Sequence, residues 1–547
     1  MTKHTPLKVL VLWLWKSSKG ARTQAILNTI IGLADVAFQL LWVLACKKAI
    51  DIATGEQEGK LVTTIVAIAA LMLAEIASRA AGRWIHAVKG VEVRNKMRLK
   101  IFARLLRGEW LHLQKHHTGD LINRLEGDVS SITALITETT PATLVVGVQL
   151  AASFAMLFTM SPLLAVSVLA ALPVALATSR FYIKKMRTLN REVRDSDSRI
   201  QSVLQESLQH KAVIKTLERD KNTEEKLTTL QEKLKGQVRN RTKFSLGAYS
   251  LTQMGFAAGY LTAFAWGVYG LATGSVTFGT LSAYLQLVGL IQRPTMDMSS
   301  YIPSIVSSFT AAERLYELED IPEETQGEKI ILQGTAGVRF KDVCFKYNDK
   351  ERAIFENFNY NFAPNSCTAI VGETGAGKTT LIRLLVSLIS PQKGCVEVYN
   401  NAESHTSSPL TRSNFVYIPQ GNSLISGSIK ENLLMGNPEA TDDMLQQALH
   451  IACADFVNDL PQGIDTELTE QGGGLSEGQA QRIAVARSIL RPGSILIFDE
   501  ATSALDESTE QEMLQRLTSN NLERTLIFVT HRPAIIKYCD HVLEIKG

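Results

Sequence analysis

The sequence predicts a multi-domain membrane protein: an all-α transmembrane domain of six helices followed by an α/β P-loop NTPase domain. Three observations carry this. Six apolar segments, each near bilayer-spanning length, fall within residues 24–303. Residues beyond about 320 have ordinary soluble composition. Within that soluble part, a strand-like run leads into Gly372-Glu373-Thr374-Gly375-Ala376-Gly377-Lys378-Thr379-Thr380 and then into a helical run.

The bulk composition narrows the class. The chain has 547 residues, enough for two large domains. Its 57 Lys and Arg against 54 Asp and Glu give a net charge of +3, so no nucleic-acid partner is expected. A hydrophobic fraction of 45% excludes disorder. Six cysteines without a CxxC pair exclude a disulfide scaffold and fit free thiols in a reducing compartment.

The six spans are expected at about 24–47, 61–83, 141–160, 163–183, 246–271 and 279–303. Ser161-Pro162 joins the third to the fourth, and Gly274-Ser275-Val276-Thr277 joins the fifth to the sixth. The link 51–60 joins the first pair, and Lys60 is the only basic residue in these three short links. The connections 86–135 and 184–245 are long, basic and free of proline. Basic loops stay inside, so the soluble part is placed in the cytoplasm. Leu7–Trp15 is too short to span and is expected to lie on the inner membrane surface as an elbow helix. The expected domains are therefore 1–20 (elbow), 21–317 (transmembrane), 318–337 (linker) and 338–547 (nucleotide-binding).

Each motif residue has a chemical reason. Glycines let backbone N–H groups curl around phosphate oxygens, and the helix that follows adds positive partial charge. Lys378 suits the β and γ phosphates of ATP, and the Thr379 hydroxyl suits Mg²⁺. A second buried strand, Ser494–Phe498, ends in Asp499-Glu500. Asp499 is the expected Mg²⁺ holder, and Glu500 the group that polarises the attacking water.

Leu475-Ser476-Glu477-Gly478-Gln479, continued by Ala480–Arg487, resembles the signature motif of ABC transporters, which usually reads LSGGQ. The resemblance covers nearly the whole chain and implies an exporter-type half-transporter of the type IV fold. It implies that Tyr347 stacks on adenine, and that Gln420 senses Mg²⁺ and water while touching the membrane domain. Glu470 is similar to the X-loop acid, Asp506 lies in the D-loop, and His531 matches the switch histidine that contacts the γ-phosphate. Ser476, Gly478 and Gln479 would face ATP held by a second subunit. Thr118–Arg124 and Gln209–Thr216 look like the two coupling helices. The chain departs from the pattern at Glu477, which replaces the first signature glycine and puts a carboxylate near a triphosphate. Pro533, after His531-Arg532, fits a first helical turn.

The resemblance implies a dimer, because one chain has one phosphate loop and one signature. Glu500, His531, Gln420 and Ser476 are all present, which favours a homodimer; a heterodimer is the alternative. The expected activity is ATP-driven movement of a hydrophobic or amphipathic lipid, drug or peptide by alternating access, in contact with membrane lipid. Import within the same fold, or an ATP-gated regulatory membrane ATPase, are the alternatives. Compact loops suit a bacterial inner membrane. Asp35, Gln39, Glu75, Arg79 and Asp297 are ionisable or polar residues at membrane depth; lining of a water-exposed cavity, or Glu75–Arg79 pairing along one helix, is favoured over a cavity for a cationic or amphipathic substrate. His112 and His116 are four apart, but no further ligand set lies near them in sequence, so no metal centre is expected there.

Overall fold

The computed structural model describes residues 6–348, 352–469, 473–519 and 524–546. Inside helices, the side chains of 168–184, 293, 295–297, 299, 300, 518 and 519 lie outside the description. Asp297 and Glu470 therefore fall outside it.

In chain order the helices are α1 (Leu7–Ser17), α2 (Arg22–Ala53), α3 (Leu61–Arg107), α4 (Trp110–Leu113), α5 (Thr118–Asn123), α6 (Val129–Ala134), α7 (Thr140–Met160), α8 (Pro162–Gln209), α9 (Lys211–Thr216), α10 (Asp220–Ala272) and α11 (Phe278–Glu319). Two π-helical turns, Arg124–Asp128 and Leu135–Thr139, connect α5 to α6 and α6 to α7. Each of the six apolar segments lies within one helix of this series. Among the described residues, α2, α3 and the helical run Thr118–Met160 are long and apolar enough to cross a membrane. The chain separates into two compact units, residues 1–102 with 119–319, and residues 103–118 with 320–547.

In the first unit, α2 packs with α7 and α11, and α10 packs with α8 and α11. One core joins Val43, Leu157, Leu164, Ala263, Tyr284 and Leu287. Many large apolar side chains, among them Val62, Leu73, Leu144 and Leu261, face outward, as lipid contact requires. Pro294 and Pro303 sit inside α11 without ending it. Close helix approach is set by glycine at one decisive point. A side chain at Gly279 would meet the Lys47 carbonyl at 2.3 Å. There the buried Asp51 accepts from the Gly279 N–H (3.0 Å) and pairs with Lys47 (2.8 Å), fastening the end of α2 to the start of α11.

Elsewhere in this unit, charge is also matched. Arg124 is buried and pairs with Asp120 (2.9 Å) and Glu317 (3.2 Å), while Arg314 pairs with Asp128 (2.6 Å). Arg79 pairs with Glu75 one turn away and lies 3.9 Å from Asp35; the Gln149 amide donates to Gln39 (3.3 Å). Helix α1 is apolar on more than one face: Leu10 and Trp13 are buried, whereas Leu7, Val11, Leu12 and Trp15 are exposed.

The second unit is built on three sheets. Its strands are β1 (Gly337–Phe345), β2 (Phe355–Phe362), β3 (Cys367–Val371), β4 (Lys393–Tyr399), β5 (Ser404–Thr406), β6 (Phe415–Ile418), β7 (Gly427–Ser428), β8 (Glu467–Leu468), β9 (Ile495–Asp499), β10 (Thr525–Val529) and β11 (His541–Glu544). Its helices after residue 320 are α12 (Lys378–Leu385), α13 (Ile429–Leu434), α14 (Asp442–Ile451), α15 (Glu477–Leu490), α16 (Glu507–Ser519) and α17 (Pro533–Tyr538). The parallel sheet runs β11-β3-β10-β9-β6, the antiparallel sheet β2-β1-β4-β5, and β7 pairs β8. Strands β3, β9 and β10 read as continuous apolar runs because both faces are covered.

The expected linker, 318–337, is bonded to the second unit: Ile330 N–H donates to the Leu410 carbonyl, Leu332 N–H to Asn414 Oδ1, and Glu324 forms a two-pronged pair with Arg412 at 2.9 Å. Within the connection 86–135, residues 103–118 belong to this second unit, with Trp110 and Leu111 against its core, and residues 119–124 belong to the first. The reason is polarity. Trp110 and Leu111 have apolar surface to bury, whereas Arg124 finds its carboxylates inside the first unit.

Candidate nucleotide site

The parallel sheet brings the chemistry to one edge. Ile370 and Asp499 both stand opposite Val529 in register, and Ile418 stands opposite Phe498. The carboxyl ends of β3, β10, β9 and β6 therefore align, and the chain leaves each end through a motif. A crevice outside strand carboxyl ends is where open α/β sheets take ligands.

After β3, Gly372, Gly375 and Gly377 have φ of +156°, +89° and +107°. Gly377 at +107° is the N-cap of α12, a left-handed position where a side chain would also meet Ile354 at 2.7 Å. Glycines at positive φ before a helix start allow such a loop to turn its N–H groups toward an anion. Glu373, Thr374 and Thr379 are exposed and Ala376 is buried under the loop. Lys378 folds back on the loop, its Nζ donating to the Gly372 (2.6 Å) and Glu373 (3.0 Å) carbonyls. A phosphate would replace these two carbonyls as its partner.

After β9, Asp499 and Glu500 part ways. Asp499 is buried and accepts from the Tyr417 hydroxyl at 3.0 Å. Burial raises its carboxyl above the usual range, outweighing the Tyr417 hydrogen bond. Glu500 adopts φ +49°, a strained position for a non-glycine residue, held by its N–H bonding to the Val529 carbonyl (3.0 Å). That backbone turn presents its carboxylate to Gln420 Nε2 at 2.7 Å and to His531 Nε2 at 3.6 Å. Gln420, Glu500 and His531, which come from three different strand ends, thus form one polar cluster. Asp499, Thr379 and Gln420 offer only oxygen donors, a hard set that fits Mg²⁺.

Tyr347 packs edge-on against Phe345 at 5.0 Å. Its hydroxyl lies 3.3 Å from Thr380 and accepts from Arg383 at 2.8 Å. The Arg383 guanidinium in turn lies over the Trp110 ring, 4.4 Å from its centroid.

The signature residues form a separate cluster. Ser476 is the N-cap of α15 in a capping box with Gln479, the bonds measuring 3.2 Å and 2.9 Å. Among the described residues no bond joins them to Gly372–Thr380. Glu477 is exposed in the first helical turn, where a carboxylate opposes the positive helix end. Gly478 is needed locally, since a side chain there would meet the Ala504 carbonyl at 2.8 Å. Asp506 caps α16 through Thr509 N–H (3.0 Å) and the Ser508 and Thr509 hydroxyls, which hold its carboxyl far below the usual range.

Comparison with known proteins follows the same division. A family model for the ABC transporter transmembrane region matches residues 25–295, and one for the ABC transporter ATP-binding domain, described as ABC transporter, matches residues 355–503. The chain belongs to the ABC transporters. It has the exporter-type half-transporter arrangement, one transmembrane region followed by one ABC ATPase domain. A solved bacterial Atm1-family ABC exporter with ATP bound superimposes with a TM-score of 0.80 at 24% identity, over 96% of this chain and 93% of that one, a likeness of fold. The mouse protein named ATP-binding cassette sub-family B member 10, mitochondrial, is 30% identical over 83% of this chain. The Dictyostelium discoideum serine protease/ABC transporter B family protein tagA is 28% identical over 95% of it. This ABC transporter chain spans 65% of the mouse protein's length and 30% of the Dictyostelium protein's.

Three supporting residues escaped the sequence reading. Gln481, 2% exposed, donates to Ser503 Oγ (3.4 Å) and accepts from Ala504 N–H (3.1 Å), tying α15 to the loop before α16. Arg532 donates to the Leu505 (3.0 Å) and Ser503 (2.7 Å) carbonyls and pairs with the buried Glu510 at 3.1 Å. Tyr417 anchors Asp499. It is the one residue of β6 that is only partly buried, and no spacing in the sequence marks it for this role.

Proposed function

We propose that this chain is the subunit of an ATP-driven exporter that works as a dimer, a homodimer in the simplest case. The observation that carries the reading is Glu500, held at a strained φ between Gln420 and His531 at the end of β9. A carboxylate in contact with an amide and an imidazole is equipped to orient a water and accept its proton.

In this reading the phosphate loop and Lys378 hold the ATP phosphates, and Tyr347 receives the adenine. Asp499, Thr379 and Gln420 hold Mg²⁺, which supplies neutralising charge on the phosphates. Ser476, Gly478 and Gln479 bind the ATP of the second subunit, consistent with their lack of bonds to Gly372–Thr380 within the described chain. His531 orients the reacting phosphate, and Asp506 holds the loop that faces the partner. Closure of two such units on two ATP molecules and release after hydrolysis bias the transmembrane unit between two states. The cargo is a hydrophobic or amphipathic compound, and the membrane a bacterial inner membrane.

ATPase activity of the purified full chain in lipid bilayers tests this, with Glu500→Gln beside it. Hydrolysis by the wild type, its loss in the variant, and stimulation by amphipathic compounds are the expected results. A wild type that binds ATP without hydrolysing it would rule out the self-sufficient homodimer.

A further inference from the structure

Two cysteines meet in the second unit, away from the nucleotide cluster. Cys367 opens β3 and is buried; Cys539 follows α17 and is half-buried. Their sulfurs are 2.9 Å apart, with the Cys367 thiol donating to Cys539. The backbone fixes this encounter from both sides. Asp540 N–H donates to the Cys367 carbonyl and Cys367 N–H to Asp540 Oδ2, both at 2.9 Å. From the next residue on, β11 runs parallel to β3, with His541 opposite Thr368. Among the described residues no other two cysteine sulfurs are in contact.

The two thiols are chemically unequal. Donation from Cys367 lowers the Cys539 thiol pKa, against the opposing pull of burial and of Asp540, and the same bond together with burial raises that of Cys367. Cys539, the more exposed, is therefore the nucleophile, and Cys367 the resolving thiol behind it. A disulfide S–S bond is about 2.05 Å long, so an approach of about 1 Å closes the pair.

We propose that Cys367 and Cys539 form a reversible disulfide that slows ATP turnover, a redox-modification site within the ABC domain. The oxidant is of the peroxide class. The Cys539 thiolate attacks the O–O bond, giving a sulfenic acid and, with one proton, water. The Cys367 sulfur then attacks the sulfenic sulfur, losing its proton and releasing a second water. In sum, two thiols and one hydrogen peroxide give one disulfide and two waters, and an external thiol reverses the change. In a reducing compartment such a bond is transient and regulatory rather than structural.

The placement explains the consequence. Strand β3 runs directly into the phosphate loop at Gly372, and α17, which ends at Tyr538 just before Cys539, begins next to His531 and Arg532. A covalent tie at the far end of both restrains the helix behind the switch histidine. The effect on turnover rests on the role proposed above for His531; formation of the bond does not.

The test uses the purified full chain, treated with hydrogen peroxide and then blocked with an alkylating agent. Peptide mapping reads the linkage, and ATPase activity is measured before and after dithiothreitol. The expected result is a cross-linked Cys367–Cys539 peptide lacking two hydrogens, with turnover severalfold slower and restored by dithiothreitol. Cys539→Ser and Cys539→Ala should keep basal turnover and lose the peroxide response. If both peptides are recovered unlinked, the site is disproved. If they are linked and turnover is unchanged, the pair is not a switch. An inert wild type with a linked pair would instead count against the ATPase reading, leaving the redox site standing.

Discussion

Carboxylates that fasten helices in the first unit and those at the candidate nucleotide site of the second are matched differently. In the first, Asp128 meets Arg314, Asp51 meets Lys47, and Glu317 and Asp120 share Arg124. In the second, Asp499 is met by a tyrosine hydroxyl, and Glu500 by an amide and an imidazole. A carboxylate already neutralised by a cation holds helices together and has little left for a ligand. A carboxylate kept among weaker partners retains its appetite for a metal ion or a water proton. The same contrast applies to cations: Arg124 is committed, whereas Lys378 rests on two carbonyls that a phosphate can replace.

Several changes would break or sharpen this contrast. Lys378→Ala should have the largest effect, lowering ATP affinity by about 100-fold, because a charge-assisted bond contributes roughly 1.5–3 kcal/mol and Lys378 would make more than one. Titration with a fluorescent ATP analogue reads it, and wild-type affinity in the variant would refute the assignment.

Gln481→Ala removes both bonds between α15 and the loop before α16, one to Ser503 Oγ and one from the Ala504 N–H. A loss of about 1–3 kcal/mol is expected, seen as a lower Tm and slower ATP hydrolysis. An unchanged Tm would mean that α15 and that loop do not depend on the link.

Asp51→Asn should test the first unit. The amide keeps an acceptor for Gly279 N–H but loses the charge opposite Lys47, which is partly exposed, so a loss of about 1 kcal/mol is expected. Detergent-solubilised protein should melt slightly lower while nucleotide affinity stays unchanged. A shift in nucleotide affinity would show that the paired charges of this unit do more than hold helices.

The smallest effect concerns pH. Asp499 has a raised pKa in the native protein, so its ionised form is a burden on stability at neutral pH that is relieved as pH falls through that pKa. Mg²⁺ needs the ionised form. Its tightening of ATP binding should therefore weaken as pH is lowered from neutral toward the raised pKa, and Asp499→Asn should abolish the dependence. Asp506, held far below the usual range by Ser508 and Thr509, should contribute nothing over the same interval. A Mg²⁺ titration at two pH values separates these outcomes.

The sequence by itself determined the six apolar segments, the phosphate loop and the carboxylate pair. These are local statements: length and apolarity fix a helix in lipid, and glycine spacing fixes a loop around phosphate. It also exposed the signature, whose Ser476 and Gln479 cap each other three residues apart. Only the tertiary structure decided which distant groups meet. Glu500, Gln420 and His531 converge because three parallel strands end in register, which no spacing along the chain records. Trp110 joined the second unit and Arg124 the first because burial of an aromatic ring and pairing of a guanidinium are settled by what each finds nearby. Cys367 and Cys539, 172 positions apart, read as unrelated thiols until β11 lay down beside β3.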